Sequence, residues 1–146
     1  MVPRSPHGTS AFCLTVRDCH PAQEHLPKGW PYEKCAQCHG PDGRGGVAGV
    51  TAAPLVSAAP ITDISASMKT IANFWPYATK LFDYIRRAMP WQQPRSLTDQ
   101  EVYALTAYIL AQNKLIGEND TINAETLPKV RMPNRDGFIV RFPDAM

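Results

Sequence analysis

Apolar residues recur with a helical period in two stretches of this chain. Between Pro76 and Ala88, Leu81, Tyr84, Ile85 and Ala88 fall at i, i+3, i+4 and i+7, one face of an α-helix. Asp83 stands four residues before Arg87, the favourable order for an ion pair across one helical turn. Pro90 and Pro94 end the element. The second stretch has a defined start, because Thr98 and Glu101 form a T-x-x-E capping box and Leu97 is placed to staple onto Val102. Val102, Leu105, Thr106 and Ile109 then mark one face. The helix is expected to end between Asn113 and Gly117, with Gly117 as its stop.

The rest of the pattern is irregular. Residues 1–29 carry Pro3, Pro6, Pro21 and Pro27 and no sustained period, so they are expected to form a leader outside the domain. Pro31 to Gln37 has room for one or two helical turns, with Pro31 at the first position. Residues 39–49, HGPDGRGGVAG, hold five of the nine glycines, a density that marks a loop with positive φ or close backbone approach. Residues 50–68 are small and polar, with Pro54 and Pro60, and predict no regular element. Residues 118–146 contain Pro128, Pro133 and Pro143 and predict an extended tail. The expected fold is all-α, small and loop-rich, with a domain over 30–117.

Composition narrows the classes of function. The 146 residues suffice for one domain. Fifteen Lys+Arg against thirteen Asp+Glu leave a net charge of +2, too balanced for a nucleic-acid footprint. No apolar run reaches the roughly 18–20 residues of a membrane span. A basic stretch followed by an apolar one, as in an export signal, is also not visible in the sequence. Four cysteines are too few for a disulfide framework at this length, so their positions carry the information.

Cys35-Ala36-Gln37-Cys38-His39 matches C-x-x-C-H, the attachment signature of c-type haem. Two thiols three positions apart on a helical turn can reach both vinyl groups of one porphyrin, and the adjacent His can supply the proximal imidazole. Half a zinc site is the competing reading, with Cys13 and Cys19 as the other half. Their separation exceeds the usual knuckle of about two to four residues, however. A thioredoxin-type pair requires a βαβ context that the pattern lacks. A second axial ligand has several candidates. Met89, held before Pro90 at a helix end, is favoured over Met68 and Met132, although any Met also serves as a core filler. His7, His20 and His25 lie in the leader and are weaker candidates.

YEKCAQCHGPDGRGG, then IANFWPYATKLFDYIRRAMPWQQPRSLTDQEVYALTAYILAQN and TLPKVRMPNRDGF, together resemble class I c-type cytochrome domains of the sulfite/sulfane dehydrogenase group. The resemblance spans roughly residues 32–139. It implies one covalent haem c on Cys35 and Cys38, with His39 and the Met of A-M-P, Met89, as axial ligands. It also implies a molybdenum-cofactor dehydrogenase subunit as electron donor and a downstream cytochrome or oxidase as acceptor. The implied role is electron transfer in sulfur-compound oxidation, with no catalytic site in the chain itself. Such haem attachment implies a periplasmic parent protein, where Cys13 and Cys19 can pair as a disulfide. Trp75, Tyr77, Leu81 and Tyr84 are expected in the haem pocket, and Arg86, Arg87, Lys80 and Arg95 at haem propionates or on a partner surface. The relatives usually carry a full helix before the haem motif, which Pro27, Gly29 and Pro31 interrupt here. A freely diffusing cytochrome c carrier is the alternative role. The tail would separate the two, since a subunit can use it to wrap a partner; its deletion is then expected to leave the haem nearly unaffected.

Overall fold

The computed structural model describes residues 31–50, 52–56, 65 and 68–139. Residues 1–29, including Cys13 and Cys19, lie outside the described residues. The elements are α1 (Pro31–His39), α2 (Ile71–Phe74), α3 (Ala78–Ala88), α4 (Asp99–Gln112) and a 3₁₀ turn, Leu127–Lys129. Among the described residues there is no strand; one isolated antiparallel bridge joins Tyr77 and Arg131. No helix is long and apolar enough to cross a membrane.

The two patterned helices form where expected. In α3, Leu81 and Ile85 are buried, and Arg87 Nε donates to Asp83 Oδ1 at 2.7 Å on the solvent side. At the start of α4 the capping box is complete. The Thr98 backbone N–H donates to Glu101 Oε2 at 2.7 Å, and the Thr98 hydroxyl accepts from the Glu101 backbone N–H at 3.3 Å. The helix then packs along α3. Val102 and Ala104 to Leu110 are all buried, so α4 is enclosed around most of its circumference rather than along one stripe. Thr106 tolerates complete burial because its hydroxyl donates to the Val102 carbonyl at 2.7 Å.

Gly117 does not stop α4. Lys114 takes the left-handed conformation (φ 58°) instead. The Leu115 N–H reaches the Leu110 carbonyl, the Lys114 N–H reaches that of Ala111, and Leu115 packs on the core. This is a Schellman ending on a non-glycine residue. Such a residue meets a steric cost of about 1 kcal/mol or more at positive φ, and the two carbonyl bonds together with the apolar contact offset it.

The largest departure from the sequence reading lies after residue 117. The segment is a succession of turns around the 3₁₀ turn rather than an extended run, and it is not a detached tail. Leu127 (3% exposed) and Met132 (1% exposed) belong to the same core as α3 and α4. Asn134 Nδ2 donates to the Phe74 carbonyl at 2.6 Å, Arg135 stacks over the Tyr77 ring, and Phe138 meets Phe74 edge-on. A boundary at 117 therefore cuts through one hydrophobic core. The prolines ruled out a long helix, but a lone Leu and a lone Met without period gave no sign of burial.

The glycine loop after α1 behaves as its composition predicts, with Gly40, Gly43, Gly45, Gly46 and Gly49 all at positive φ. Gly40 is the most constrained. A Cβ there would lie 2.7 Å from the Gly45 carbonyl oxygen, whereas one at Gly46 meets nothing within 4 Å. Both positions carry the left-handed penalty of about 1–2 kcal/mol, and only Gly40 adds a backbone clash. Gly40→Ala is therefore expected to destabilise the haem-loaded protein by about 2–3 kcal/mol and Gly46→Ala by about half of that. Denaturant unfolding of the two variants, side by side, checks the order.

Candidate haem site

α1 runs from Pro31 through His39 and so carries the whole C-x-x-C-H segment on one short helix, two residues longer than the pattern predicted. Its end is tied down by the loop that follows. The Gly40 N–H bonds the Ala36 carbonyl, and the Gly45 N–H bonds the His39 carbonyl at 2.7 Å. The loop then returns along α1, fixed by bonds from the Leu55 and Val56 N–H groups to the Gly43 carbonyl. Asn113, at the end of α4, donates to the Leu55 carbonyl at 2.9 Å and anchors the same return from the other side.

This return sets the orientation of the imidazole. His39 Nδ1 lies 2.8 Å from the Ala53 carbonyl oxygen. A carbonyl only accepts, so Nδ1 carries the proton and Nε2 keeps the lone pair. A hydrogen bond of this kind fixes tautomer and ring plane, as expected of a metal-binding His.

Cys35, Cys38, His39 and Met89 all line one cavity of about 610 Å³. The two cysteines are not joined to each other in a disulfide. Burial, with a smaller contribution from neighbouring Cys38, pushes the Cys35 thiol above its ordinary range. The walls are mainly apolar: Leu55 and Val56 from the return loop, Leu81 and Ile85 from α3, Leu105 and Ile109 from α4. Among the described residues, Lys34 and Lys69 are the lining residues with a full positive charge, and no Asp or Glu lines the cavity. Among the described residues, no group of three or more His, Cys, Asp or Glu is arranged to hold a metal ion by itself.

The methionines separate cleanly. Met89 caps α3, its N–H bonded to the Ile85 carbonyl at 3.0 Å, and it is followed by buried Pro90. Met132 is enclosed in the core and does not line the cavity; Met68 is 65% exposed and does not line it either. Of the aromatic candidates, Trp75 and Tyr84 are cavity residues and meet edge-on, with centroids 5.6 Å apart. Leu81 lines the cavity as well. Tyr77 does not. Its ring lies under Arg135 on the outer side, where the bridge to Arg131 holds its backbone. Arg86 does not line the cavity either, because Asp99 in the first turn of α4 draws its guanidinium outward at 2.9 Å.

Several lining residues were not legible in the sequence. Ala53 contributes only a backbone carbonyl, which no side-chain pattern reports. Thr70 and Ile71 sit at the start of α2, a single turn too short to leave a period. Tyr108 was hidden because α4 was read as having one buried face. Trp91 is the exception: an aromatic directly after Met89-Pro90 was a usable signal. It stands at the cavity mouth, 75% exposed.

These observations fit a covalently held haem. The volume falls within the roughly 300–1,000 Å³ of cofactor pockets, the walls are apolar, Cys35 and Cys38 share one side, and a tautomer-fixed imidazole presents Nε2. The comparisons agree. The family model described as cytochrome c matches residues 30–113. A solved structure, that of the sulfane dehydrogenase SoxCD from Paracoccus pantotrophus, is similar at 30% identity with a TM-score of 0.66. The match covers 77% of this chain and 53% of that one, so this chain spans about half the length of the protein it resembles. No curated protein sequence matches significantly. With more than half of its length matched by the family model, and with the C-x-x-C-H helix opening on a haem-sized apolar cavity, the chain belongs to the cytochrome c family and carries covalent haem c.

Proposed function

We propose that this chain is a one-electron relay between a molybdenum-containing sulfite or sulfane dehydrogenase subunit and a downstream cytochrome or oxidase. The observation that carries the proposal is the convergence of Cys35, Cys38, His39 and Met89 on one cavity. The similarity to a sulfane dehydrogenase supports the choice of donor. Haem c supplies a one-electron iron couple whose potential a Met/His ligand pair raises. The residues of the chain do the rest. Cys35 and Cys38 tether the group through thioethers, and His39 presents Nε2 because Ala53 holds Nδ1. Met89 offers its sulfur from the end of α3, and the apolar walls exclude water from both ligands. Trp91 and the two rim lysines give the mouth an apolar and positive character, suited to brief docking of an acidic partner surface.

On this reading the parent protein works in the periplasm. The alternative of a free carrier loses one of its discriminators. A packed 118–139 segment is part of the domain, so its presence no longer favours a partner-wrapping extension.

Protein co-produced with haem-attachment machinery is expected to show one covalent haem per chain in a pyridine haemochrome assay. Mixing it with a purified molybdenum subunit and sulfite or a sulfane donor should reduce that haem, with the two proteins co-migrating. Reduction by unrelated cytochrome reductases, without binding to the molybdenum subunit, would replace the relay with a free carrier. A colourless, exported, zinc-containing protein would overturn the haem reading altogether.

A further inference from the structure

Among the described residues, the cavity wall holds a buried polar group that neither the fold nor the axial ligation uses. Thr70 is 4% exposed, lines the cavity, and its hydroxyl has no hydrogen-bond partner among the described residues. The surrounding backbone is well satisfied. The Thr70 N–H donates to Asn73 Oδ1 at 2.7 Å, and Asn73 Nδ2 donates to the Met68 carbonyl at 2.9 Å. Thr70 stands at the N-cap of α2, but its side chain makes no cap hydrogen bond there. Its proton is left without an acceptor. A buried hydroxyl in that condition is uncommon in folded proteins and points to a missing partner.

We infer that Thr70 donates a hydrogen bond to a haem propionate and fixes which edge of the haem lies against the start of α2. The inference rests on the presence of haem c in this cavity. Within that frame, the acceptor follows by elimination. The four ring nitrogens of the haem are on the iron, and its methyl and thioether substituents accept no hydrogen bond. The propionate oxygens are therefore the acceptors that the group can offer. Electrostatics point the same way, because Lys69 adjoins Thr70 on the rim and, among the described residues, no carboxylate lines the cavity to repel an anion. A hydroxyl bonded to a carboxylate in an apolar wall also forms the stronger, charge-assisted type of bond. Arg86 was one of the basic residues expected at a haem propionate or on a partner surface. With that guanidinium turned out to Asp99, Thr70 takes its place in this reading.

The test uses the haem-loaded chain in its ferrous, diamagnetic state. Proton NMR should show a Thr70 hydroxyl resonance that exchanges slowly with water and has a nuclear Overhauser contact to a propionate methylene. Thr70→Val, which keeps the shape and removes the donor, should shift a propionate bending band in the resonance Raman spectrum. Thr70→Ser should leave that band at its wild-type position. A wild-type hydroxyl that exchanges as fast as an exposed threonine, or has contacts only to protein protons, would overturn the inference. An unmoved band in a haem-loaded Thr70→Val protein would do the same. Should Thr70→Val not take up haem, the wild-type NMR measurement decides alone. Failure of the underlying reading is separate and visible: the wild-type chain would then carry no covalent haem in the haemochrome assay.

Discussion

Met89→Ala is expected to abolish the weak far-red absorption band of the ferric protein and to lower its reduction potential on the order of 100 mV or more. Axial ligands set haem potentials over a range of about 0.8 V, and a thioether sulfur lies toward the high end of it. The variant should also bind imidazole or carbon monoxide where the parent protein resists both. The geometry makes the prediction specific to one methionine. Met89 lines the cavity with His39, its backbone pinned by the bond to Ile85 and the buried Pro90 beyond it, while Met68 and Met132 do not line the cavity. The fold should survive, since Met89 is half-buried at the edge of the core rather than at its centre. Met132→Ala serves as the control, because it should leave the far-red band in place. A Met89→Ala protein with band and potential unchanged would remove Met89 from the iron.

How much of this site was legible beforehand depended on whether its chemistry resides in side chains or in backbone. Cys35, Cys38 and His39 are contiguous and have a fixed spacing, so their convergence was readable from five residues. Met89 was readable because a proline and a helix end restrict its backbone. The polar ties that orient the site were not. Ala53 acts through a carbonyl that any residue has, and it reaches His39 only because a glycine loop with positive φ folds the chain back along α1. Arg86 and Tyr77 were misread for a related reason. A helical period places a residue on a face, but partners distant in sequence, Asp99 for one and Arg135 for the other, decide where the side chain ends.

Met132→Ala is expected to destabilise the haem-loaded protein by about 2–5 kcal/mol, the usual cost of truncating a fully buried long side chain. For a domain of roughly 100 residues that corresponds to a fall in Tm of about 10–30 °C. Met132→Leu, which conserves volume, should cost less than about 1.5 kcal/mol. The burial behind this is nearly complete: Met132 is 1% exposed and lies in one cluster with Leu81, Ile85, Leu110 and Leu127. Removing everything after Gly117 should do more damage than the point variant. It takes away Leu127 and Met132 together, the bridge between Arg131 and Tyr77, and the bond from Asn134 to the Phe74 carbonyl. Phe74 immediately precedes Trp75, and Leu81 belongs both to the cavity wall and to the cluster around Met132. Loss of the segment therefore loosens the wall of the haem cavity from behind. Thermal melts followed by the haem absorption and by far-ultraviolet circular dichroism should fall together. A truncated chain that retained the parent melting temperature, with its haem spectrum unaltered, would return residues 118–139 to the status of a detachable extension.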